Sequence, residues 1–140
     1  GVDMTGYQTI RGELFPTLSA PAMTITRGKM RFNTACLNKF ENVEYVELLL
    51  NATHRCIAIR PCDKGNPNAI HWGKLRDERW CVNEVGCKGF AGSLFGLMAW
   101  DDDTKYKFRG QFSNREDGKL LFFELDEPEM LKSVEQVVPV

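Results

Sequence analysis

The 140-residue chain carries two histidines, His54 and His71, and five cysteines, Cys36, Cys56, Cys62, Cys81 and Cys87, so few side chains are available for nucleophilic or metal chemistry. A hydrolase triad needs an activated Ser or Cys, a His base and an orienting carboxylate. His54 falls in a predicted hairpin turn and His71 in a short strand, and Gly92-Ser93-Leu94 has no glycine where the nucleophile elbow G-x-S-x-G requires it. Two cysteine pairs, Cys56/Cys62 and Cys81/Cys87, share a C-x5-C spacing, whereas zinc ribbons use C-x2-C knuckles. Residues six apart in an extended strand lie about 20 Å from each other, too far for one tetrahedral ion. With an odd count and no secretion signal, the cysteines read as reduced structural thiols, and neither a metal nor another cofactor is expected.

Two further patterns resemble ligand loops and fail on detail. Glycines 86, 89, 92 and 96 lack the Lys-Ser/Thr ending of a P-loop. They fall beside Phe90, Leu94 and Phe95 in an amphipathic helical pattern, where small residues allow close packing. Asp101-Asp102-Asp103 lacks the glycine and distal glutamate of a calcium loop and reads as a solvated turn.

The remaining signal is basic. Arg27, Lys29, Arg31 and Lys39 occur within thirteen residues with no intervening acid, and Arg60 and Lys64 follow. Lys74, Arg76 and Arg79 lie in a charged connection, and Lys105, Lys107 and Arg109 share one face of one predicted strand. Such stripes neutralise phosphates by counterion release. Net charge does not advertise this, since eighteen Lys+Arg face nineteen Asp+Glu. The balance is uneven, however: residues 1–115 hold sixteen basic against twelve acidic side chains, and residues 116–140 two against seven.

The elements that must carry these residues follow from periodicity. Met23 and Ile25 alternate with Thr24 and Thr26, Arg27-Gly28 turns, and Met30 and Phe32 alternate with Arg31 and Asn33, a hairpin pattern. Asn33 or Thr34 can cap a short helix through Phe40. Val43–Leu50 and Cys56–Arg60 form a second hairpin, closed by Pro61. After a turn-rich connection at 63–68 the order repeats. Ala69–Trp72 and Trp80–Val85 read as strands, with Gly73–Arg79 connecting them. A helix opens at Cys87 or Lys88, with Phe90, Ala91, Leu94, Leu97 and Met98 on one side. Lys105–Phe112 and Leu120–Leu125 form the last hairpin. Residues 1–21 read as an arm with a short strand near Tyr7–Ile10, and 126–140 as an acidic tail with a final strand at Val137–Val138.

The repeated order predicts an α+β, mainly β protein. One compact domain is built from two ββαββ units, the first at 22–62 and the second, with its linker, at 63–125. They pack as a pseudo-symmetric pair. At 43% hydrophobic residues a buried core is expected. No apolar run reaches the roughly 18–20 residues that span a bilayer and no secretory h-region is present, which predicts a cytoplasmic protein without membrane contact.

The segment T-I-T-R-G-K-M-R-F-N-T-A-C-L-N-K-F, with V-E-Y-V-E-L-L-L and C-I-A-I-R-P-C, resembles the swapped-hairpin, AbrB-type DNA-binding fold. That resemblance covers about forty residues and implies a basic glycine turn at Arg27-Gly28-Lys29, a helix near Thr34–Phe40 and a closing hairpin. The sequence departs from the family at Phe32-Asn33, where the second strand normally reads I-P. The whole chain, with M-T-G-Y-Q-T-I-R-G-E-L-F, is also similar to short mobile-element proteins often labelled "integrase". Recombinase chemistry is not written in the residues. His54 and His71 lack the Arg three positions on that tyrosine recombinases need, no Tyr follows Tyr106, and the clustered Ser and Arg of serine recombinases are missing.

The expectation is a non-enzymatic, double-stranded-DNA-binding protein, a regulator or accessory factor of a mobile element, acting as a monomer or homodimer. Arg27, Lys29, Arg31 and Lys39 would hold phosphates, with Arg60 and Lys64 in support. The rival expectation is a protein-binding module, an inhibitor of a host nucleic-acid-acting protein. Its tail acids Glu124, Asp126, Glu127 and Glu129 would mimic phosphates.

Overall fold

The computed structural model describes residues 1–11 and 20–131. Two short helices and an antiparallel sheet that curls into an almost closed barrel account for most of it. β1 (Ala22–Ile25) and β2 (Lys29–Phe32) form the first hairpin, followed by α1 (Thr34–Lys39) and the hairpin β3 (Tyr45–Asn51) and β4 (Cys56–Pro61). Next come β5 (Ile70–His71), the ribbon β6 (Gly73–Arg76) and β7 (Arg79–Val82), and β8 (Glu84–Gly86). α2 (Lys88–Met98), β9 (Lys105–Arg115), β10 (Gly118–Glu124) and β11 (Glu129–Leu131) complete the order.

The main sheet runs β5-β3-β4-β10-β9-β1-β2-β8, with β11 on β9, while β6 and β7 pair only with each other. The seam between β5 and β8 is bridged by Asn83, whose backbone N–H donates to the Trp72 carbonyl at 2.8 Å and whose Nδ2 donates to the His71 carbonyl at 3.2 Å. Period-two alternation decides the inside: Met23, Ile25, Met30, Phe32, Ile57, Ile59, Phe108, Leu121 and Phe123 are buried. The helices plug this core. α1 buries Cys36 and Leu37, and Phe40 beyond it meets Trp72 with ring centroids 5.3 Å apart. α2 buries Ala91, Leu94 and Phe95, and Trp100 behind it stacks on Tyr106 at 4.6 Å.

Asn33, the residue that departs from the swapped-hairpin pattern, ties two elements together. Its Oδ1 accepts from the backbone of Cys36 at 3.3 Å and of Ala22 at 3.1 Å, and its Nδ2 donates to the Ala20 carbonyl at 2.8 Å. It caps α1 and anchors the start of β1 together.

Several local expectations are corrected. Gly73–Arg79 is not a connection, because its first four residues pair as β6 with β7. The expected strand Trp80–Val85 divides at Asn83, its first part in the ribbon and its second in the barrel. Phe95, not Leu97, fills the core side of α2, and Leu97 is exposed. Of the helix glycines only Gly92 packs closely, against the Arg27 guanidinium, while Gly89 and Gly96 face open space. Tyr7–Ile10 forms no strand: it pairs with no strand among the described residues, and Tyr7 and Ile10 are exposed. The tail is partly structural, because Glu129–Leu131 pairs with Lys105–Lys107 as β11. Val137–Val138 lies outside the described residues. No helix among the described residues is long and apolar enough to cross a membrane.

Candidate nucleic-acid interface

β9 is the longest strand, and its exposed positions Lys105, Lys107 and Arg109 alternate with buried Tyr106 and Phe108. The burial of the aromatic residues forces the cations outward. Lys107 pairs with Thr24 on β1, and Thr24 pairs with Arg31 on β2. Outward side chains in register share a face, so Lys107, Thr24 and Arg31 form one row. Glu84 of β8 extends that row beyond Arg31, and Glu129 of β11 extends it beyond Lys107. Lys29 lies two residues from Arg31 on the same face of β2.

Two concavities lie along this wall and share Lys107. One, of about 440 Å³, is lined by Thr24, Thr26, Lys29, Arg31, Glu84, Lys105 and Leu131 among others. The other, of about 310 Å³, includes Asn33, Arg109, Glu127 and Glu129. Lys29 pairs with Glu84 at 2.9 Å. Arg31, Lys105, Lys107 and Arg109 make no ion pair among the described residues. The wall's field is felt at Glu84, whose carboxyl is held below its usual range first by the hydrogen bond from Lys29 and then by the charges of Lys29, Arg31 and Lys105. Neither concavity is lined by an aromatic side chain among the described residues, so the wall offers cations and threonine hydroxyls without a stacking platform.

The six expected phosphate contacts are separated by the fold. Lys29 and Arg31 stand on the wall. Arg27 lies instead across α2, donating to the Lys88 carbonyl at 3.3 Å with its Nε 3.4 Å from Asp102. Lys39 sits at the end of α1 with Nζ 5.5 Å from the Phe112 ring centroid, a cation–π contact. Arg60 is on β4, four strands along the sheet from β2. It is engaged by Glu47, which also accepts from Asn66 at 3.1 Å. These hydrogen bonds, Arg60's first, hold the Glu47 carboxyl below its ordinary range. Lys64 is exposed in the turn after β4. Lys105, Lys107 and Arg109, left out of the expected contacts, are the larger part of the wall. Their alternation on one strand was the signal for them, but pairing with β1 and β2 is what gives them company.

His71 is occupied by Glu44 at 3.1 Å and stacks on Tyr45 at 4.7 Å. His54 sits exposed in the β3–β4 turn. Among the described residues no three His, Cys, Asp or Glu side chains cluster as a metal site. Burial pushes the Cys36 thiol up to about 11, away from thiolate reactivity. Of the tail acids, Asp126 is 3.3 Å from Arg55, and Glu127 and Glu129 line the wall beside Lys107 and Arg109. No protein-family model, curated protein or solved structure matches the chain.

Proposed function

We propose that the protein is a non-catalytic binder of double-stranded DNA, a regulator or accessory factor of a mobile element, and that it holds phosphates on the wall formed by Lys29, Arg31, Lys105, Lys107 and Arg109. The register of Lys107, Thr24 and Arg31, with Lys105 and Arg109 beside it and no ion pair to any of these four cations among the described residues, carries this reading. Alternate residues on β9 repeat at about 6.8 Å. That is close to the through-space distance between neighbouring phosphates of one DNA strand, each step of which rises about 3.4 Å and also turns about the axis. The wall lacks stacking aromatics, which favours a stacked duplex over an unpaired strand.

The same reading includes two ββαββ halves packed as a pseudo-dimer, 22–62 and 69–125. Pairing order supports it. Exchanging β1 with β5, β2 with β8, β3 with β9 and β4 with β10 turns the observed pair β1·β9 into the observed pair β5·β3, and β3·β4 into β9·β10. β2·β8 and β4·β10 map onto themselves. β1·β2 maps onto β5·β8, the seam that Asn83 bridges.

Fluorescence anisotropy against a labelled duplex at several salt concentrations tests the function. The variant K105A/K107A/R109A should bind every sequence more weakly, and its salt slope should shrink by about 0.9 per lost phosphate contact. R27A/K39A/R60A, which alters only cations engaged elsewhere, should keep the wild-type slope. Wild-type protein that binds no duplex at low salt removes the reading.

A further inference from the structure

The β6–β7 ribbon forms its own two-stranded sheet and pairs with no strand of the barrel among the described residues. Three residues, Thr26–Gly28, suffice to join β1 to β2, yet β5 and β8 are joined through a paired hairpin that makes its own two-stranded sheet. Its register separates two faces. Gly73, Val82, Leu75 and Trp80 share one, and Lys74, Cys81, Arg76 and Arg79 share the other. The apolar face packs on the core along its length, Val82 at the base and Trp80 one rung from the turn. A β-carbon on Gly73 would lie 2.5 Å from Cδ2 of Leu37 in α1, so this position needs glycine to seat the ribbon.

The opposite face is costly as it stands. Arg76 and Arg79 are directly paired across the ladder, and like charges so placed destabilise a hairpin. None of Lys74, Arg76 and Arg79 has a carboxylate partner among the described residues. The tip adds strain at Glu78, which holds left-handed backbone at φ 62° where glycine is usual, beside Asp77 at φ 50°, a residue type that tolerates it. An anionic partner would relieve the repulsion, and its position is indicated by the chain. One residue, Asn83, separates the ribbon from β8, whose Glu84 faces Arg31, so the ribbon leaves the barrel at the Arg31–Lys107 row of the wall.

We infer that the β6–β7 ribbon enters the major groove of duplex DNA while the wall holds the flanking phosphates. This inference rests on the DNA-binding reading above. A four-residue strand is about 13 Å long. The major groove is about 12 Å wide and 8.5 Å deep and admits a two-stranded ribbon. Arg76 and Arg79 suit the O6 and N7 acceptors of guanine, and Asp77 and Glu78 suit the N4 donor of cytosine. The ribbon therefore supplies base discrimination, and the wall supplies affinity.

Two duplexes of one sequence test this, one with ordinary cytosine and one with glucosylated 5-hydroxymethylcytosine, which fills the major groove and leaves the phosphates unchanged. The intact wild-type protein should bind the modified duplex about tenfold or more weakly, the scale of losing one bidentate base contact. R76A/R79A should lose most of the preference for the unmodified duplex, because the arginine base contacts are gone. K105A/K107A/R109A should weaken both and keep their ratio. Because the exchange removes facing like charges and leaves Gly73 and Trp80 in place, R76A/R79A should unfold at or above the wild-type temperature. Equal wild-type binding to the two duplexes overturns the ribbon's role and leaves the wall standing. Binding to neither overturns both.

Discussion

A β-carbon at Gly110 would lie 2.7 Å from Cε1 of Phe123. The strand positions explain the contact. Gly110 pairs with Phe123 on β10 and donates its N–H to the Pro21 carbonyl at 2.8 Å, while its neighbour Arg109 already pairs with Ala22 on β1. Three strands converge there, and the fully buried Phe123 ring occupies the space a side chain would need. Gly110→Ala should therefore destabilise the protein by about 1–3 kcal/mol through overpacking. A thermal melt reads this as a drop of several degrees, and an unchanged midpoint would mean that the ring gives way freely.

Glu129 stands directly opposite Lys107 in the register, and Glu127 and Glu129 line the same concavity as Lys107 and Arg109. Their charges oppose the wall's field where a phosphate would sit. E127Q/E129Q keeps shape and removes both charges, so it should tighten duplex binding severalfold, with the gain fading as salt rises. Anisotropy titrations at low and high salt measure it. Equal affinities would show that β11 does not shape the interface.

Cys36 contributes to alkaline stability. Burial first, against weaker relief from hydrogen bonds to Ala22 and Asn33, raises its thiol from 9.0 to about 11. The folded protein thus holds the thiol neutral where the unfolded chain ionises. The stability it confers is whole below pH 9.0 and declines as pH rises toward about 11. The slope for this one group is at most about 1.4 kcal/mol per pH unit. Cys56, Cys62 and Cys87 are shifted upward too, each chiefly by burial. Cys36→Ala should therefore reduce the alkaline loss without abolishing it. Urea unfolding on either side of pH 9.0 checks the sign, and a variant whose stability falls as steeply as wild type would contradict it. In the native protein Cys36 should also be the last thiol alkylated.

The sequence alone determined what short-range physics controls. Alternation of Met23, Ile25, Met30 and Phe32 with polar neighbours, the Asn33 cap, the apolar spacing of α2 and the alternation along β9 all correspond to observed elements, because side-chain period and capping act within a few residues. The ribbon carries little local signal, since its four-residue strands are charged and its turn, Asp77-Glu78, lacks the glycine that marks a tight hairpin. Only the tertiary structure decided which cations stand together. Arg27 and Lys29 are two residues apart, yet one crosses α2 toward Asp102 while the other joins the wall. Lys107 and Arg31, seventy-six positions apart, share a row because both pair with Thr24. Strand partners are chosen by burial of the inward aromatic and aliphatic side chains across the whole barrel, and the outward charges follow the register which that core imposes.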